Sequence, residues 1–490
     1  MLDRRIRWLA AGFLILFLAL IAQVNYLQVF AADRLKDNPA NAPRLLRQEY
    51  DVQRGEILAR DGRSRLAYSR ATKGKLRYLR VYPRKSLYAQ ITGYYSVVFG
   101  RSGLEASYNE YLAGTASELL PQRLVDEILG RTKTGATVVT TIDPKIQRAA
   151  ARALRGVQGG LVAMDPNTGE ILAMYSTPTF DPNPLASHDA DEARDAWKRL
   201  NEDKSKPLLA RANQELFPPG STFKVVTAAA ALEGGTKPST TFPNPHELDL
   251  PQTNNTLKNF GGSHCLGGAS EITLAQAFQI SCNVVFGEVG LKIGAKRLVG
   301  QAQRFGFDQH VDFDIPFSEG QIPSADEFAQ DLPGVAYSAI GQQSVSANPL
   351  AMALITSAIA NRGVEMQPRL VREIRDNSGR IVKTFGPEEF GRAISSGTAR
   401  QLTDLMVSVV EAGTGTPAQI PGVKVAGKTG TAQHPGGDPH AWFLSFAPAD
   451  HPRIVVAVVV LNGGSLGSEA TGGHVAAPIA KAVLETALER

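Results

Sequence analysis

A stretch without any charged residue, residues 8–32, constrains the topology of this 490-residue chain more than any other feature. As an α-helix it is long enough to cross a hydrocarbon core about 30 Å thick. Arg4, Arg5 and Arg7 precede it, and basic residues before such a stretch favour a cytoplasmic N-terminus. We therefore predict a cytoplasmic tail at residues 1–7, a single transmembrane anchor at residues 8–32 and an exported remainder.

A cleaved signal peptide is the alternative explanation of the same stretch, because Val29, Phe30 and Ala31 resemble a cleavage site. The apolar run is long for the core of a signal peptide, so an uncleaved anchor is favoured. Both interpretations export the rest of the chain. Outside the cytoplasm the only two cysteines, Cys265 and Cys282, are expected to form a disulfide rather than two separate buried thiols.

The charge distribution argues for a membrane-associated protein and against nucleic-acid binding. The net charge is +5, and the excess of basic residues lies in the N-terminal third, with a dense stretch from Arg60 to Lys85. That stretch has little aromatic interleaving and no nucleic-acid motif. A solvated basic face close to anionic lipid is the favoured interpretation.

The chain is long enough for two domains, and its pattern changes near Thr140. Residues 33–140 look irregular. Pro144 to Leu154 is a predicted helix with Asp143 as its N-cap. Two apolar strands, Gly160–Met164 and Glu170–Tyr175, surround a turn sequence and predict a hairpin.

Helices and then strands are predicted after this hairpin. The predicted helices are Thr222–Leu232, Leu274–Leu291 and Pro349–Ala360; the predicted strands are Val423–Ala426, His440–Phe446 and Arg453–Leu461; a last helix runs from about His474 to Glu489. Strands at both ends of this region can share one sheet. We therefore predict an α/β fold whose mainly antiparallel sheet is flanked by helices, with a helical subdomain in between.

The first candidate motif is Ser221-Thr222-Phe223-Lys224, which follows two prolines and a glycine and begins a helix. Residues three positions apart on a helix are neighbours, so Ser221 and Lys224 can touch. A serine becomes a nucleophile when a neighbouring base takes its proton, and lysine can do so as a neutral amine. An N-cap serine beside a surface lysine is the non-catalytic alternative.

Two further motifs follow in the chain, Ser281-Cys282-Asn283 and Lys428-Thr429-Gly430-Thr431. Each is weak alone. Residues 422–429 also satisfy the phosphate-binding loop pattern, but that loop must lead directly into a helix. Here a proline, two glycines and a predicted strand follow, so nucleotide binding is not expected.

The three motifs in this order resemble the penicillin-recognising serine enzymes. Upstream, Arg54-Gly55-Glu56-Ile57 and Gly103-Leu104-Glu105 with Tyr108 resemble the pedestal of the class B penicillin-binding proteins. The short chain and the cysteine inside the second motif resemble the actinobacterial penicillin-binding protein A group. The resemblance implies a pedestal at 33–140 and a transpeptidase domain at 141–490. Supporting segments are residues 159–176, 339–342, 348–350, 360–363, 426–433 and 440–448.

The resemblance implies crosslinking of peptidoglycan stem peptides that end in D-Ala-D-Ala, with inhibition by β-lactams. Ser221 would be acylated, Lys224 would be the base, Ser281 would relay the proton, and Asn283 would hold the substrate amide and orient Lys224. Lys428 would keep the local potential positive. Thr429, Gly430 and Thr431 would bind the substrate, and backbone amides of Ser221 and Thr431 would form the oxyanion hole. No metal or cofactor is implied.

Glycan polymerisation would come from a separate membrane glycosyltransferase of the SEDS type, since class A glycosyltransferase motifs are absent from the sequence. Two alternatives use the same motifs. One is a serine β-lactamase or D,D-carboxypeptidase, which would hydrolyse the acyl-enzyme. The other is a penicillin-binding sensor or division scaffold. For the cysteines, we expect a bond from Cys282 to Cys265 that tethers the loop 254–268 behind the second motif.

Overall fold

The computed structural model of the protein describes residues 2–27, 49–130, 132–464 and 466–489, and it begins with the helix Leu2–Asn25. Within this helix, Ile6–Asn25 has a mean hydropathy of 2.0, and it is the one segment of these ranges that is long and apolar enough to cross a membrane. Its large apolar side chains are exposed. Residues 28–32 of the predicted anchor and the possible cleavage site lie outside the described residues.

A five-stranded antiparallel sheet forms the centre of the C-terminal part. Its order is Ala426–Ala432, His440–Ala447, Ile454–Val460, Gly159–Met164 and Ile171–Thr177. The predicted hairpin therefore exists and pairs with strands from the other end of the chain. Ala426–Ala432 is an edge strand, so one side of its backbone is not paired within this sheet.

Helices cover both faces of this sheet, which explains why its middle strand is apolar without alternation. In Ile454–Val460, Val456 and Val458 pack with the helices Pro144–Ala153 and Ala476–Leu488. Val455 and Ala457 point to the opposite face, where Pro349–Ala360 packs. A strand buried on both faces has a continuous hydrophobic run. Asp143 accepts hydrogen bonds from the first turn of Pro144–Ala153, as its N-cap position predicts.

A six-stranded sheet joins the pedestal region to the C-terminal part. Its order is Ile381–Thr384, Val371–Arg375, Thr137–Thr140, Ile57–Leu58, Arg65–Ala71 and Tyr78–Val81. Two of its strands come from beyond residue 370: Val371–Arg375 pairs with Thr137–Thr140, and Ile381–Thr384 pairs with Val371–Arg375. The sheet therefore crosses the boundary that the sequence places at residue 140.

The residues of the pedestal motifs meet in its core. Glu105 is fully buried and accepts hydrogen bonds from Arg54 Nε and Arg80 Nε, both at 2.6 Å. Arg80 also donates to the carbonyl oxygen of Gly55 at 2.7 Å. A buried carboxylate is tolerated when such charge-assisted bonds replace its hydration. The Tyr108 hydroxyl donates to Asp314 and thereby connects the pedestal to the C-terminal part.

The remaining elements are short or belong to the helical subdomain. Paired short strands are Tyr95–Ser96 with Gly100–Arg101, Thr241–Pro243 with Glu271–Thr273, Glu247–Asp249 with Thr256–Lys258, and Val364–Met366 with Glu389–Arg392. The other α-helices are Ala89–Thr92, Gly103–Ser107, Asn109–Leu112, Leu120–Ile128, Ala190–Glu202, Lys224–Glu233, Leu274–Gln279, Asn283–Ile293, Ala295–Arg304, Ala325–Gln330, Leu332–Ala339 and Ser396–Ala412.

Two predicted elements differ from the structure, and the irregular structure expected at residues 33–140 is also wrong for its described part, which contains short strands and helices from Ile57 to Thr140. The single helix predicted over Leu274–Leu291 is wrong: it ends at Gln279, and a new helix begins at Asn283. The predicted strand Val423–Ala426 is also misplaced, because the strand begins at Ala426 and contains the third motif itself. Apolar residues that face the core continue on both sides of the break between the two helices, so the sequence pattern gives no sign of this break.

Candidate active site

The first motif begins on a tight turn that is held against the edge strand of the central sheet. Gly220–Phe223 forms one turn of 3₁₀-helix, and the helix Lys224–Glu233 follows. Gly220 has φ of 53°, and a Cβ there would lie 2.7 Å from the carbonyl oxygen of Thr431. Only glycine fits such a close approach at positive φ. This turn places Ser221, half-buried, at the wall of the cleft.

Lys224 is fully buried behind this turn. Its Nζ donates to the carbonyl oxygen of Ser281 at 2.7 Å and to Oδ1 of Asn283 at 2.7 Å, and Oγ of Ser281 lies 3.4 Å away. The helix that carries Lys224 is apolar on all sides, which fits a helix buried in a helical subdomain. No hydrogen bond joins Ser221 Oγ to Lys224 Nζ within this described part of the chain.

The break between the two helices at the second motif orients Ser281. Its φ is 63°, the left-handed region, which non-glycine residues occupy at an energetic cost. In this conformation the carbonyl oxygen of Ser281 faces Lys224, and its Oγ accepts a hydrogen bond of 2.8 Å from Lys428 Nζ. One residue therefore contacts both buried lysines.

Burial lowers the pKa of both lysines. For Lys224, desolvation is the largest cause, followed by repulsion from Lys428, and its pKa falls well below the usual 10.5. Desolvation lowers the pKa of Lys428 to about 7. The rings of Phe286 and Phe278 lie 5.5 Å from Nζ of Lys224 and 5.6 Å from Nζ of Lys428, respectively. No ion pair joins either lysine to a carboxylate in the described ranges, so Lys224 holds its proton weakly.

The third motif lies on the edge strand and packs closely on the turn of the first. A Cβ at Gly430 would lie 2.9 Å from the carbonyl oxygen of Pro219. Thr429 is buried, and its Oγ1 is 2.6 Å from Oγ1 of Thr414. The side chain of Thr431 faces the cleft, while Lys428 is fully buried beneath it.

A cleft of about 1440 Å³ runs along these three motifs. Ser221, Ser281, Asn283, Thr429 and Thr431 line it. The two lysines and Gly430 do not line this cleft. The structure thus brings all predicted site residues together, with the hydroxyl and amide groups facing the cleft and the lysines behind them.

The disulfide joins Cys265 to Cys282, with Cα atoms 6.0 Å apart. The cysteine loop carries a residue that the sequence analysis did not identify, Asn259. Its Oδ1 accepts from the backbone N–H groups of Asn283 at 2.8 Å and of Val284 at 3.2 Å. Asn259 therefore caps the helix Asn283–Ile293 from a distant part of the chain. A distant cap leaves no local sequence signal; the only hint is the abundance of Asn and Gly in this loop.

No group of three or more His, Cys, Asp or Glu side chains that could hold a metal ion occurs within the described ranges. His440 is buried, and burial together with the neighbouring His434 lowers its pKa to about 4. Its Nδ1 accepts a hydrogen bond from the backbone N–H of Asn462 at 3.2 Å. These contacts give His440 a packing role on the central sheet.

Comparisons with known proteins agree with this geometry. The family model for the penicillin-binding protein transpeptidase domain matches residues 159–485. The model for the penicillin-binding protein A dimerisation domain matches residues 54–138. The chain therefore belongs to the penicillin-binding protein transpeptidase family and to its class B.

Relatives that match over their full length show which members of this family the chain is similar to. Peptidoglycan D,D-transpeptidase PbpA of Mycolicibacterium smegmatis is 42% identical over 497 aligned residues, which cover 99% of each chain. The protein of the same name from Mycobacterium tuberculosis is 40% identical and covers 100% of this chain and 99% of its own. A ceftriaxone acyl-enzyme structure of penicillin-binding protein A from M. tuberculosis superposes with a TM-score of 0.86 at 40% identity, covering 90% of this chain and 99% of that chain. The predictions of the fold, of a class B penicillin-binding protein and of a D,D-transpeptidase are confirmed.

Proposed function

We propose that this peptidoglycan D,D-transpeptidase forms its acyl-enzyme on Ser221, with Lys224 as the general base. The observation that carries the assignment is the hydrogen bonding of Lys224. Its Nζ donates to two carbonyl-type oxygens, of Ser281 and Asn283, each at 2.7 Å. A neutral amine has two N–H groups, so these bonds leave its lone pair as an acceptor. The lowered pKa of Lys224 favours that neutral form.

The chemistry follows from this arrangement. The Ser221 hydroxyl loses its proton to Lys224 while its oxygen bonds to the carbonyl carbon of the penultimate D-Ala. The C–N bond to the terminal D-Ala then breaks, and the leaving nitrogen needs a proton. We assign Ser281 to relay it, because its Oγ lies 3.4 Å from Lys224 Nζ and already accepts from Lys428. Since Lys428 donates to this oxygen, the Ser281 proton is available for another acceptor.

We assign the edge strand to substrate binding. Alternate N–H groups of an edge strand are free of its sheet partner, and Thr431 lies beside the turn of Ser221. The backbone amides of Ser221 and Thr431 would stabilise the developing oxyanion, each worth about 3 kcal/mol in other serine enzymes. Thr429 and Thr431 would hold the terminal carboxylate, with Lys428 keeping the potential positive. Asn283 would hold the substrate amide as well as orient Lys224.

The full chain in detergent, supplied with a pentapeptide donor ending in D-Ala-D-Ala and a second stem peptide as amine acceptor, tests this assignment. We expect D-Ala release and a crosslinked dimer by mass spectrometry. Ser221→Ala should abolish both products, whereas Ser263→Ala, which removes another hydroxyl from the same cleft, should retain them. A variant lacking Ser221 that still forms dimers would refute the nucleophile. Hydrolysed tetrapeptide without dimer would identify a carboxypeptidase instead.

We further propose that the apolar part of the first helix, from Trp8 onward, anchors the chain in the bacterial cytoplasmic membrane, with residues 1–7 inside and the residues after the anchor outside. Arg4, Arg5 and Arg7, in the first turns of this helix and before its uncharged part, support this orientation. We also propose a separate SEDS-type glycosyltransferase as the partner that supplies glycan strands. For the domains we propose a pedestal at 33–140 and a transpeptidase domain at 141–490, with the strands at 371–384 as an extension of the pedestal sheet. Protease protection of a C-terminal tag in inside-out and right-side-out vesicles tests the orientation.

A further inference from the structure

A second pocket lies far from the cleft, where the pedestal meets the catalytic part. Its volume is about 430 Å³, and it lies beside Ile171–Thr177, the edge strand opposite to the one that carries the third motif. One wall is the 3₁₀-turn Lys85–Tyr88 of the pedestal, and the other is the helix Pro144–Ala153 with the turn after it. The pocket therefore spans the two regions without using any residue of the catalytic motifs.

Three arginines dominate this pocket: Arg148, Arg152 and Arg155. The first two are four positions apart on the helix and share one face, and Arg155 follows in the turn beyond its end. All three are exposed, and within the described ranges none of them forms an ion pair or a side-chain hydrogen bond. Like charges four positions apart on a helix repel each other, and an anion bound between them would relieve this repulsion.

The remaining lining supplies hydrogen-bond donors and no negative charge. Hydroxyl groups come from Ser86, Tyr175 and Thr177, while the described lining contains no Asp or Glu. Burial raises the pKa of Tyr175, so its hydroxyl stays protonated and able to donate. A pocket with three guanidinium groups, three hydroxyls and no carboxylate is complementary to a compact anion.

The pocket walls are held rigidly by one side chain. Gln147 is fully buried and donates to the carbonyl oxygens of Leu87 and Met174, both at 2.9 Å. Its Oε1 accepts from the N–H of Met174 at 2.9 Å. These bonds fix the pedestal turn, the helix and the edge strand relative to each other. The three arginines are thus presented by a preformed wall, which reduces the entropic cost of binding.

We propose that this pocket binds a phosphate ester or pyrophosphate group through Arg148, Arg152 and Arg155. Arginine forks match phosphate oxygens in paired hydrogen bonds, and the group's charge would relieve the repulsion among the three guanidiniums. The same chemistry occurs on anionic lipid headgroups and on soluble phosphates. The competing explanation is a solvated basic helix end, since cations near a helix C-terminus interact favourably with its dipole.

The full chain in neutral detergent micelles can be tested with two probes at physiological salt. The soluble probe is inorganic pyrophosphate, measured by calorimetry. The lipid probe is phosphatidylglycerol against phosphatidylcholine, measured as retained lipid by native mass spectrometry. The pocket variant is Arg148→Gln with Arg152→Gln and Arg155→Gln. Its matched control, Arg70→Gln with Lys73→Gln and Lys75→Gln, removes the same charge from exposed residues at a hairpin elsewhere on the pedestal.

We expect the pocket variant to weaken binding at least about tenfold and the control variant less than about twofold. Pyrophosphate binding with this pattern identifies a soluble ligand, and selective phosphatidylglycerol retention identifies a lipid. Equal losses in both variants, or no saturable binding of either probe, would overturn the proposal and leave the arginines as a solvated helix end.

Penicillin labelling checks that each variant is folded. If the glutamine variant does not fold, a variant with lysine at positions 148, 152 and 155 tests the proposal instead. It keeps the charge but loses the guanidinium forks, so we expect severalfold weaker binding. Unchanged affinity in the lysine variant would overturn the role of the arginine forks.

Discussion

Replacing Asn283 by Asp puts a carboxylate where Lys224 now meets an amide oxygen, with almost no change in shape. The Oδ1 of Asn283 lies 2.7 Å from Lys224 Nζ, while its Nδ2 donates to the carbonyl oxygen of Lys258 at 3.1 Å on the exposed side. Water can reach that exposed side and separate the new oxygen from the Lys258 carbonyl. A negative charge beside Lys224 favours its ammonium form and raises its pKa. The proposed base would then be protonated.

The size of this effect follows from the distance. Unit charges 2.7 Å apart attract each other by about 6 kcal/mol at an effective dielectric constant of 20. Asn283 lines an open cleft, and its carboxylate would lose hydration, so we take about half of this value. That corresponds to about two pKa units, or a neutral fraction up to about 100-fold smaller, with the full factor reached only at pH values below the wild-type pKa. Acylation at neutral pH should slow by up to about that factor.

Stopped-flow acylation by a fluorescent penicillin, measured from pH 5 to 10, tests this prediction. The Asp variant should recover at high pH, because its profile is shifted upwards. Asn283→Ala is the control: it removes the acceptor but adds no charge, so its profile should not move upwards although its rate is lower. An Asp variant with the wild-type rate and pH profile at neutral pH would refute Lys224 as a base whose proton affinity is set by this contact.

The other predictions concern charge, close packing and the disulfide. Burial lowers the pKa of Lys428 to about 7 in the folded protein, so the unfolded chain binds the proton of this side chain more tightly. The unfolding free energy of the wild type should therefore rise between pH 7 and 10, relative to that of Lys428→Met, by up to about 1.4 kcal/mol per pH unit. Chemical denaturation at each pH measures this difference, and a constant difference would contradict it. Gly430→Ala puts a Cβ 2.9 Å from the Pro219 carbonyl oxygen, so penicillin labelling should slow strongly and the unfolding free energy should fall by about 1–3 kcal/mol. A normal labelling rate together with a normal stability would show that the strand can shift freely. Reduction of the Cys265–Cys282 disulfide should lower the melting temperature, since closing a loop of this size is worth about 3 kcal/mol. It should also slow acylation without abolishing it. A thiol count on denatured, unreduced protein checks the bond, and two free thiols would rule it out.

The sequence predicted those parts of the site that depend on local spacing. Ser221 and Lys224 lie three positions apart where the helical segments begin, as the spacing predicts, and Pro349–Ala360 is predicted with its observed bounds. The break at Ser281 is a helix C-cap, in which the N–H of Cys282 donates to the carbonyl oxygen of Ala277 at 2.8 Å around a left-handed Ser281. It was missed because glycine, the usual residue at such a position, is absent there. The cap by Asn259 was missed because it comes from a distant part of the chain.

Sequence patterns also cannot reveal which strands pair across long separations. Val371–Arg375 pairs with Thr137–Thr140, so the pedestal sheet includes a part of the chain that the motifs assign to the catalytic domain. The apolar alternation of a strand shows that one of its faces is buried, but it contains no information about the partner. That pairing explains why a boundary drawn at residue 140 divides a sheet that is continuous in space.

The two buried lysines have different roles because they cannot both stay charged. Each contacts Ser281, and no carboxylate forms an ion pair with either of them in the described ranges. Two ammonium groups so close together in a desolvated site repel each other, so one must lose its proton first. Burial lowers the pKa of both lysines, and repulsion from Lys428 adds to this effect at Lys224. The neutral amine therefore arises next to the Ser221 turn, and the remaining positive charge lies beneath the strand that we assign to the substrate carboxylate.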